Sequence, residues 1–216
     1  VFTDALADHL DTGALHLRTE VTGLRREADG FCLETTQNGR AQSAVFNQII
    51  LTAPAYTFPE LLGELAPEKT APLAAVNYPP VSLVYFGFKA NDVQRELDGF
   101  GFLVPEVEQR EILGTLWSSA IFPGRAPEGH VALTTFVGGT RQPENALLPE
   151  EELKKLVLQE LRDLCGVTGE PVFFRMMRWE RAIPQYRVGY KQVQAIFDQL
   201  EQEHQGLYFA GNYRRG

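Results

Sequence analysis

The sequence predicts an α+β fold: a mixed or antiparallel sheet with covering helices. Three observations predict it. First, short β-rich runs separated by Gly- and Pro-containing loops fill the middle of the chain, and their connections are too short for parallel crossovers. Second, two amphipathic helices are legible towards the C-terminal end. Third, the 216 residues are 44% hydrophobic and 22% charged, an ordinary globular balance. A chain of this length makes one large domain or two small ones and needs no disulfide or metal staple.

The elements follow in order. Phe2, Ala5, Leu6 and Leu10 fall on one helical face, and Asp11-Thr12-Gly13 ends that helix. Strands are expected at 14–18 and 20–26, and at 31–36 after the Ala28-Asp29-Gly30 turn. Asn38-Gly39 reads as a hairpin turn, because both residues tolerate positive φ, and 41–46 pairs back. A short apolar strand at 48–52 runs into Ala53-Pro54. A short helix is expected at 56–65, followed by a stretch punctuated by Pro67, Pro72, Pro79 and Pro80.

Residues 81–88 are apolar at odd and even positions alike, so this strand is expected to be covered on both faces. Further strands are expected at 101–104, 112–118 and 131–137. The clearest helix runs over 149–165. Glu150, Glu151 and Glu152 sit at its positive end, Leu153, Leu156, Val157, Leu161 and Leu164 make the buried stripe, and Gly166 stops it. A strand at 171–179, a helix at 190–202 and a buried strand at 206–210 complete the pattern, with Gly211-Asn212 read as a turn.

Charge and motif content exclude several functions. Twenty basic against 28 acidic residues leave a net charge of −8, which argues against a nucleic-acid backbone partner. The two cysteines, Cys32 and Cys165, form no redox or metal spacing and read as reduced thiols. None of the four histidines is spaced with another ligand type as a metal site requires. No run of 18 apolar residues appears. No GxSxG elbow, P-loop or acid–base pair is visible, and Gly99-x-Gly101 lacks the third glycine of a dinucleotide fingerprint. What remains is aromatic: Phe100, Phe102, Trp117, Phe122, Phe136, Trp179 and Tyr186 cluster beside Gly and Pro loops. An open sheet with such loop ends suits a flat hydrophobic ligand, although ordinary core packing accounts for most of these rings.

Several segments carry a family resemblance, in order along the chain. They are Thr-Glu-Val-Thr-Gly-Leu (19–24), Leu-Asp-Gly-Phe-Gly-Phe-Leu-Val-Pro (97–105), Ile-Leu-Gly-Thr-Leu-Trp-Ser-Ser (112–119) and Phe-Pro-Gly-Arg-Ala-Pro-Glu-Gly (122–129). Phe-Val-Gly-Gly (136–139), Arg-Trp-Glu-Arg-Ala-Ile-Pro-Gln-Tyr (178–186) and Gly-Leu-Tyr-Phe-Ala-Gly-Asn-Tyr-Arg-Arg-Gly (206–216) follow. Together they resemble the protoporphyrinogen oxidase family of haem and chlorophyll biosynthesis, within the flavin amine oxidase superfamily.

The resemblance implies a substrate domain with an antiparallel sheet and part of an FAD-binding domain of the p-hydroxybenzoate hydroxylase type. It divides the chain into a partial FAD-binding segment (1–55), a substrate-binding segment (56–180) and a return to the FAD-binding domain (181–216). Members hold FAD through an N-terminal strand, Gly-rich turn and helix, and end with a helix after the Gly-Asn-x-x-x-Gly segment. These 216 residues contain neither, so the expectation is a central piece that alone binds FAD weakly or not at all and has no oxidase activity.

The implied reaction is the stepwise six-electron oxidation of protoporphyrinogen IX, or coproporphyrinogen III, to the porphyrin, with FAD as hydride acceptor and oxygen forming hydrogen peroxide. By motif position the resemblance makes Leu103, Leu116 and Phe136 contacts of the tetrapyrrole. It makes Val21, Pro54, Trp179, Gly211 and Asn212 contacts of FAD, and no side chain is implied as catalytic. The substrate carboxylates call for a cation; Arg175, Arg178, Arg181 and Arg187 are available, and the sequence does not choose among them. A cytoplasmic protein is expected, with peripheral membrane contact and oligomeric state left open. Two other readings stand beside this one: a related flavin oxidase or desaturase acting on another large apolar substrate, and a non-catalytic ligand-binding module.

Overall fold

The structure, a computed structural model, describes residues 2–215. It opens with helix α1 (Phe2–Ala7), strands β1 (Thr19–Glu27), β2 (Gly30–Gln37), β3 (Arg40–Phe46) and β4 (Ile49–Leu51), and the one-turn helices α2 (Phe58–Leu61) and α3 (Pro67–Thr70). Next come β5 (Val81–Lys89), β6 (Gly101–Leu103), β7 (Gly114–Leu116), α4 (Ser118–Ile121), β8 (His130–Gly138) and α5 (Pro143–Ala146). The chain continues through α6 (Glu150–Cys165), β9 (Phe173–Trp179), α7 (Lys191–Glu203), β10 (Leu207–Phe209) and α8 (Asn212–Arg215). These elements form two compact units, Asn77–Gln185 and a discontinuous unit made of Val1–Val76 with Tyr186–Gly216. The architecture is α+β, and most strand pairs are antiparallel.

The discontinuous unit holds two sheets. β1, β2 and β3 form an antiparallel meander whose second turn carries Asn38 at φ 51° and Gly39 at φ 75°, the left-handed pair that a tight hairpin requires. β4 and β10 pair in parallel, Ile49 opposite Leu207 and Leu51 opposite Phe209. Phe197 and Leu200 of α7 are buried in this unit. Phe58, Phe197, Phe209 and Tyr213 form a knot of rings with centroids 5.0–6.0 Å apart, edge-to-face or tilted.

Four sequence expectations are corrected in this unit. Residues 14–18 form no strand, because Arg18 at φ 56° turns the chain and Leu15 and Leu17 find no face to bury. The helix expected at 56–65 breaks into a 3-10 turn (Ala55–Thr57) and the single turn α2, since Pro59 enters at its start. The proline-rich stretch that follows adds its own short helices, Pro67–Thr70 and Ala71–Ala75, with prolines in their first turns. Asn212 opens the one-turn helix α8 instead of a simple turn.

The continuous unit is a five-stranded antiparallel sheet of order β6-β7-β8-β5-β9. Helix α6 covers one face. Leu153, Val157, Leu161 and Cys165 pack with Val84, Phe86, Phe88, Leu133 and Val137 in one apolar core. Gly166, at φ 62°, caps α6 and returns its N–H to Arg162 O at 3.1 Å. The strand expected at 112–118 forms its ladder over Gly114–Leu116 alone, and β9 starts at Phe173 instead of Pro171.

Covering of β5 on both faces is also corrected. Ser82, Val84, Phe86 and Phe88 are buried, whereas Val81, Leu83, Tyr85 and Gly87 are only partly covered. On the second face the short helix α4 and its flanking loop cover β8 around Ala132 and Thr134, through Ser118 and Ser119, and the remaining apolar residues stay partly exposed.

Candidate functional site

The face of the five-stranded sheet opposite α6, only partly covered, is the candidate site. Residues directly opposite one another across a ladder point to the same side, so the register lays out its surface. One row runs Leu103–Gly114–Phe136–Leu83–Met177 across all five strands. The next runs Gly101–Leu116–Thr134–Tyr85–Arg175. On one side of these lies Gly138–Val81–Trp179 and on the other Ala132–Gly87–Phe173. Leu103 is 84% exposed, Met177 and Phe173 50% each, and Trp179 43%. Exposed apolar side chains gathered on one sheet face make it a candidate binding surface.

Glycines let β6 and β7 approach closely. A Cβ on Gly114 would sit 2.4 Å from Phe102 O and 3.1 Å from the Leu103 side chain, and one on Gly101 would sit 2.0 Å from Thr115 O.

The segment 122–129 forms the rim. The Tyr85 hydroxyl donates to Arg125 O at 3.0 Å, and its ring meets Phe173 edge-on at 5.9 Å. Ser118 and Thr134 share a hydroxyl hydrogen bond of 2.7 Å on the same side of the sheet. Below this rim is a hollow of about 480 Å³ whose walls include Leu83, Tyr85, Phe122, Thr134, Arg175 and Met177. A second hollow, about 390 Å³, shares Tyr85, Arg125 and Phe173 with it and is lined further by Val131 and Val172. Among the described residues no carboxylate lines either hollow.

The register brings Leu103, Leu116 and Phe136 onto this one face, Leu103 and Phe136 in one row and Leu116 in the next. They lie beside the larger hollow, on the β6–β8 half of the sheet, and not in its wall. Trp179 lies on the same face, at the β9 edge.

The other expected cofactor contacts sit in the discontinuous unit, at two places. Pro54 and Gly211-Asn212 follow the carboxyl ends of the parallel strands β4 and β10, and all three are exposed. Ligands of open α/β sheets bind beyond the carboxyl ends of the strands. Ala210 N–H donates to Leu51 O at 3.0 Å, and the single proton of the buried Tyr213 hydroxyl is shared between Leu51 O at 2.9 Å and Ala210 O at 3.0 Å. A Cβ on Gly211 would lie 2.5 Å from the Tyr213 ring, so only glycine fits and its backbone stays bare. Val21 is elsewhere, on the three-stranded meander, where it lines a shallow hollow of about 240 Å³ with Leu33, Thr35 and Phe46.

Sequence reasoning missed Leu83, Tyr85, Met177 and Arg125 as members of this face, and left Arg175 as one of four candidate cations. For Leu83 and Tyr85 the signal was present: a strand apolar at every position, which was attributed to a second covering layer. Cys165 belongs to the core under α6, and burial pushes its thiol up despite the opposing charge of Arg95. Cys32 is also a buried free thiol, and among the described residues no group of three His, Cys, Asp or Glu can hold a metal ion. Among them, too, no helix is long and apolar enough to cross a membrane.

One unit thus carries a sheet with a partly exposed apolar face, and the other carries an exposed end of a parallel strand pair. The chain belongs to the flavin containing amine oxidoreductase family, whose model matches residues 2–216. It is 33% identical, over its whole length, to protoporphyrinogen oxidase 2 (chloroplastic/mitochondrial) of Arabidopsis thaliana, of which it covers 45%. It is 29% identical over 89% of its length to coproporphyrinogen III oxidase of Bacillus subtilis, covering 40% of that protein. A crystal structure from Exiguobacterium sp. 255-15, assigned as a protoporphyrinogen oxidase, superposes on 98% of the chain with a TM-score of 0.79 and 25% identity, and the match covers 45% of that chain. The chain thus spans less than half the length of these relatives.

Proposed function

We propose that this chain supplies the porphyrinogen-binding sheet and part of the FAD scaffold of an oxygen-using porphyrinogen oxidase, acting on protoporphyrinogen IX or coproporphyrinogen III. One observation carries the reading: an apolar row that crosses all five strands on the face opposite α6, exposed at Leu103 and Met177. In this reading Asn77–Gln185 is the substrate unit and the discontinuous unit is the cofactor unit. Leu103, Leu116 and Phe136, with Leu83 and Met177 beside them, lie flat against the macrocycle and exclude water from one side of it. The absence of carboxylates from the hollows, among the described residues, suits a reaction in which the protein orients and shields.

The fit to FAD rests on the Gly211 backbone. The Tyr213 ring fills the space a side chain would need, and the strand ends beside it are exposed. Pro54, Gly211 and Asn212 would hold the cofactor there; Val21 would meet its adenine end, and Trp179 would lie near the flavin ring. When bound, FAD supplies a two-electron acceptor that oxygen can reoxidise. A cytoplasmic location belongs to the same reading, because a net charge of −8 opposes attraction to anionic lipid.

The test is absorbance of porphyrin formed from protoporphyrinogen and from coproporphyrinogen by the intact protein under air. One of them is expected to yield porphyrin, and Leu103→Asp is expected to slow it. No porphyrin from either substrate overturns the reading.

A further inference from the structure

We infer that Arg175, with Arg125 beside it, is a carboxylate clamp at one end of the open sheet face, and that it sets the orientation of a flat apolar ligand bearing ionised acid chains. The inference deepens the porphyrinogen reading above and rests on it.

Arg175 stands in the second row, next to Tyr85, on the uncovered side of β9. It is exposed, and among the described residues its side chain makes no hydrogen bond, ion pair or ring contact. Arg125 comes from the rim segment. Its guanidinium lies over the Phe122 ring at 5.5 Å, and it too has no acid partner among the described residues. Both line the same hollow, which contains no carboxylate among the described residues. The molecule as a whole carries eight more acids than bases, so two neighbouring guanidiniums without an acid are not the statistical outcome. Both side chains are exposed at the mouth of this hollow, and a carboxylate entering it meets two positive charges.

Two of the other candidate cations have partners of their own. Arg178 has the opposite strand parity. On the α6 side of the sheet it donates to Ser82 Oγ at 3.4 Å and to Leu148 O. Arg181 has a partner of its own. Arg187 lies outside the sheet unit.

The spacing suits a ring with short acid chains. Successive same-face residues of a strand are about 7 Å apart, so the Arg175 row lies one step from the Phe136–Leu83–Met177 row. A macrocycle resting on the apolar row therefore reaches Arg175 with an edge carboxylate. The planar fork of arginine grips a carboxylate through two parallel hydrogen bonds, and this also fixes the angle of the attached ring.

The experiment titrates the 216-residue chain with protoporphyrin IX and, separately, with its dimethyl ester, at one fixed detergent concentration, by porphyrin fluorescence. The unmodified chain is expected to bind the diacid about tenfold more tightly than the diester. Arg175→Gln is expected to abolish that preference while leaving the diester affinity unchanged, and Arg125→Gln to reduce it in part. Arg175→Lys, which keeps the charge but loses the fork, is expected to retain an intermediate preference. Arg175→Gln keeping the full diacid preference overturns the clamp, as does equal binding of diacid and diester by the unmodified chain; in both cases the ring-binding reading survives. If neither porphyrin binds, the ring-binding reading falls and the clamp falls with it.

Discussion

The two faces of the five-stranded sheet make opposite demands on sequence, and truncating one residue on each separates them. Phe86 is fully buried on the α6 side, with its ring 5.6 Å from Phe88 and 5.4 Å from Phe174. Phe86→Ala removes a whole ring from a filled core and is expected to cost about 3–5 kcal/mol. Leu103 is 84% exposed on the other side. Only about a sixth of its surface leaves water on folding. At about 2 kcal/mol for burying a whole leucine side chain, Leu103→Ala is therefore expected to cost roughly 0.3 kcal/mol.

Urea unfolding followed by tryptophan fluorescence reads this unit selectively, because Trp117 and Trp179 both belong to it. With a slope of about 2 kcal/mol per molar, Phe86→Ala should lower the midpoint by about 2 M and Leu103→Ala by about 0.2 M. The porphyrin affinity should respond in the reverse order when measured well below both midpoints. A loss above about 1.5 kcal/mol for Leu103→Ala would refute the claim that this face is open. A loss below about 1 kcal/mol for Phe86→Ala would refute the claim that α6 seals the other.

Two further outcomes are expected. Gly101→Ala places a methyl group against Thr115 O at a backbone φ of +126°, so β6 must part from β7; a loss of about 1–3 kcal/mol in the same urea assay is expected, together with weaker porphyrin binding, and an unchanged midpoint would show that the strands are not closely apposed. Burial, the largest influence, holds the His204 imidazole below its ordinary value of 6.5, with Glu203 opposing and Arg26 and Lys69 adding to the depression. The unfolded chain therefore binds this proton more readily, so the stability tied to a neutral His204 is full above pH 6.5 and drains away as pH falls below it; a ring-proton NMR titration with its midpoint at or above 6.5 contradicts this.

Strand parity explains why part of the molecule was legible before folding and part was not. The Asn38-Gly39 hairpin, the α6 stripe and the Gly166 stop are local: their physics is contained within a few consecutive residues, and the structure shows all three. The antiparallel character of the middle region was likewise legible, from its short connections. The parallel pairing of β4 with β10 joins segments at opposite ends of the chain, and nothing local encodes it. Residues 14–18 misled in the other direction, since apolar alternation marks a strand only where a partner and a covering layer exist.

The site itself shows the limit most clearly. Arg175 and Arg178 are three residues apart on one strand, so the period of two sends them to opposite faces. Sequence dictates that opposition but is silent on which face receives a helix. Once α6 lies on the Val84–Phe86–Phe88 side, Arg178 becomes a tie to Leu148 O and Arg175 faces the hollow. Periodicity is a property of neighbouring residues, whereas coverage depends on where a distant helix comes to rest, and only packing of the whole chain settles that.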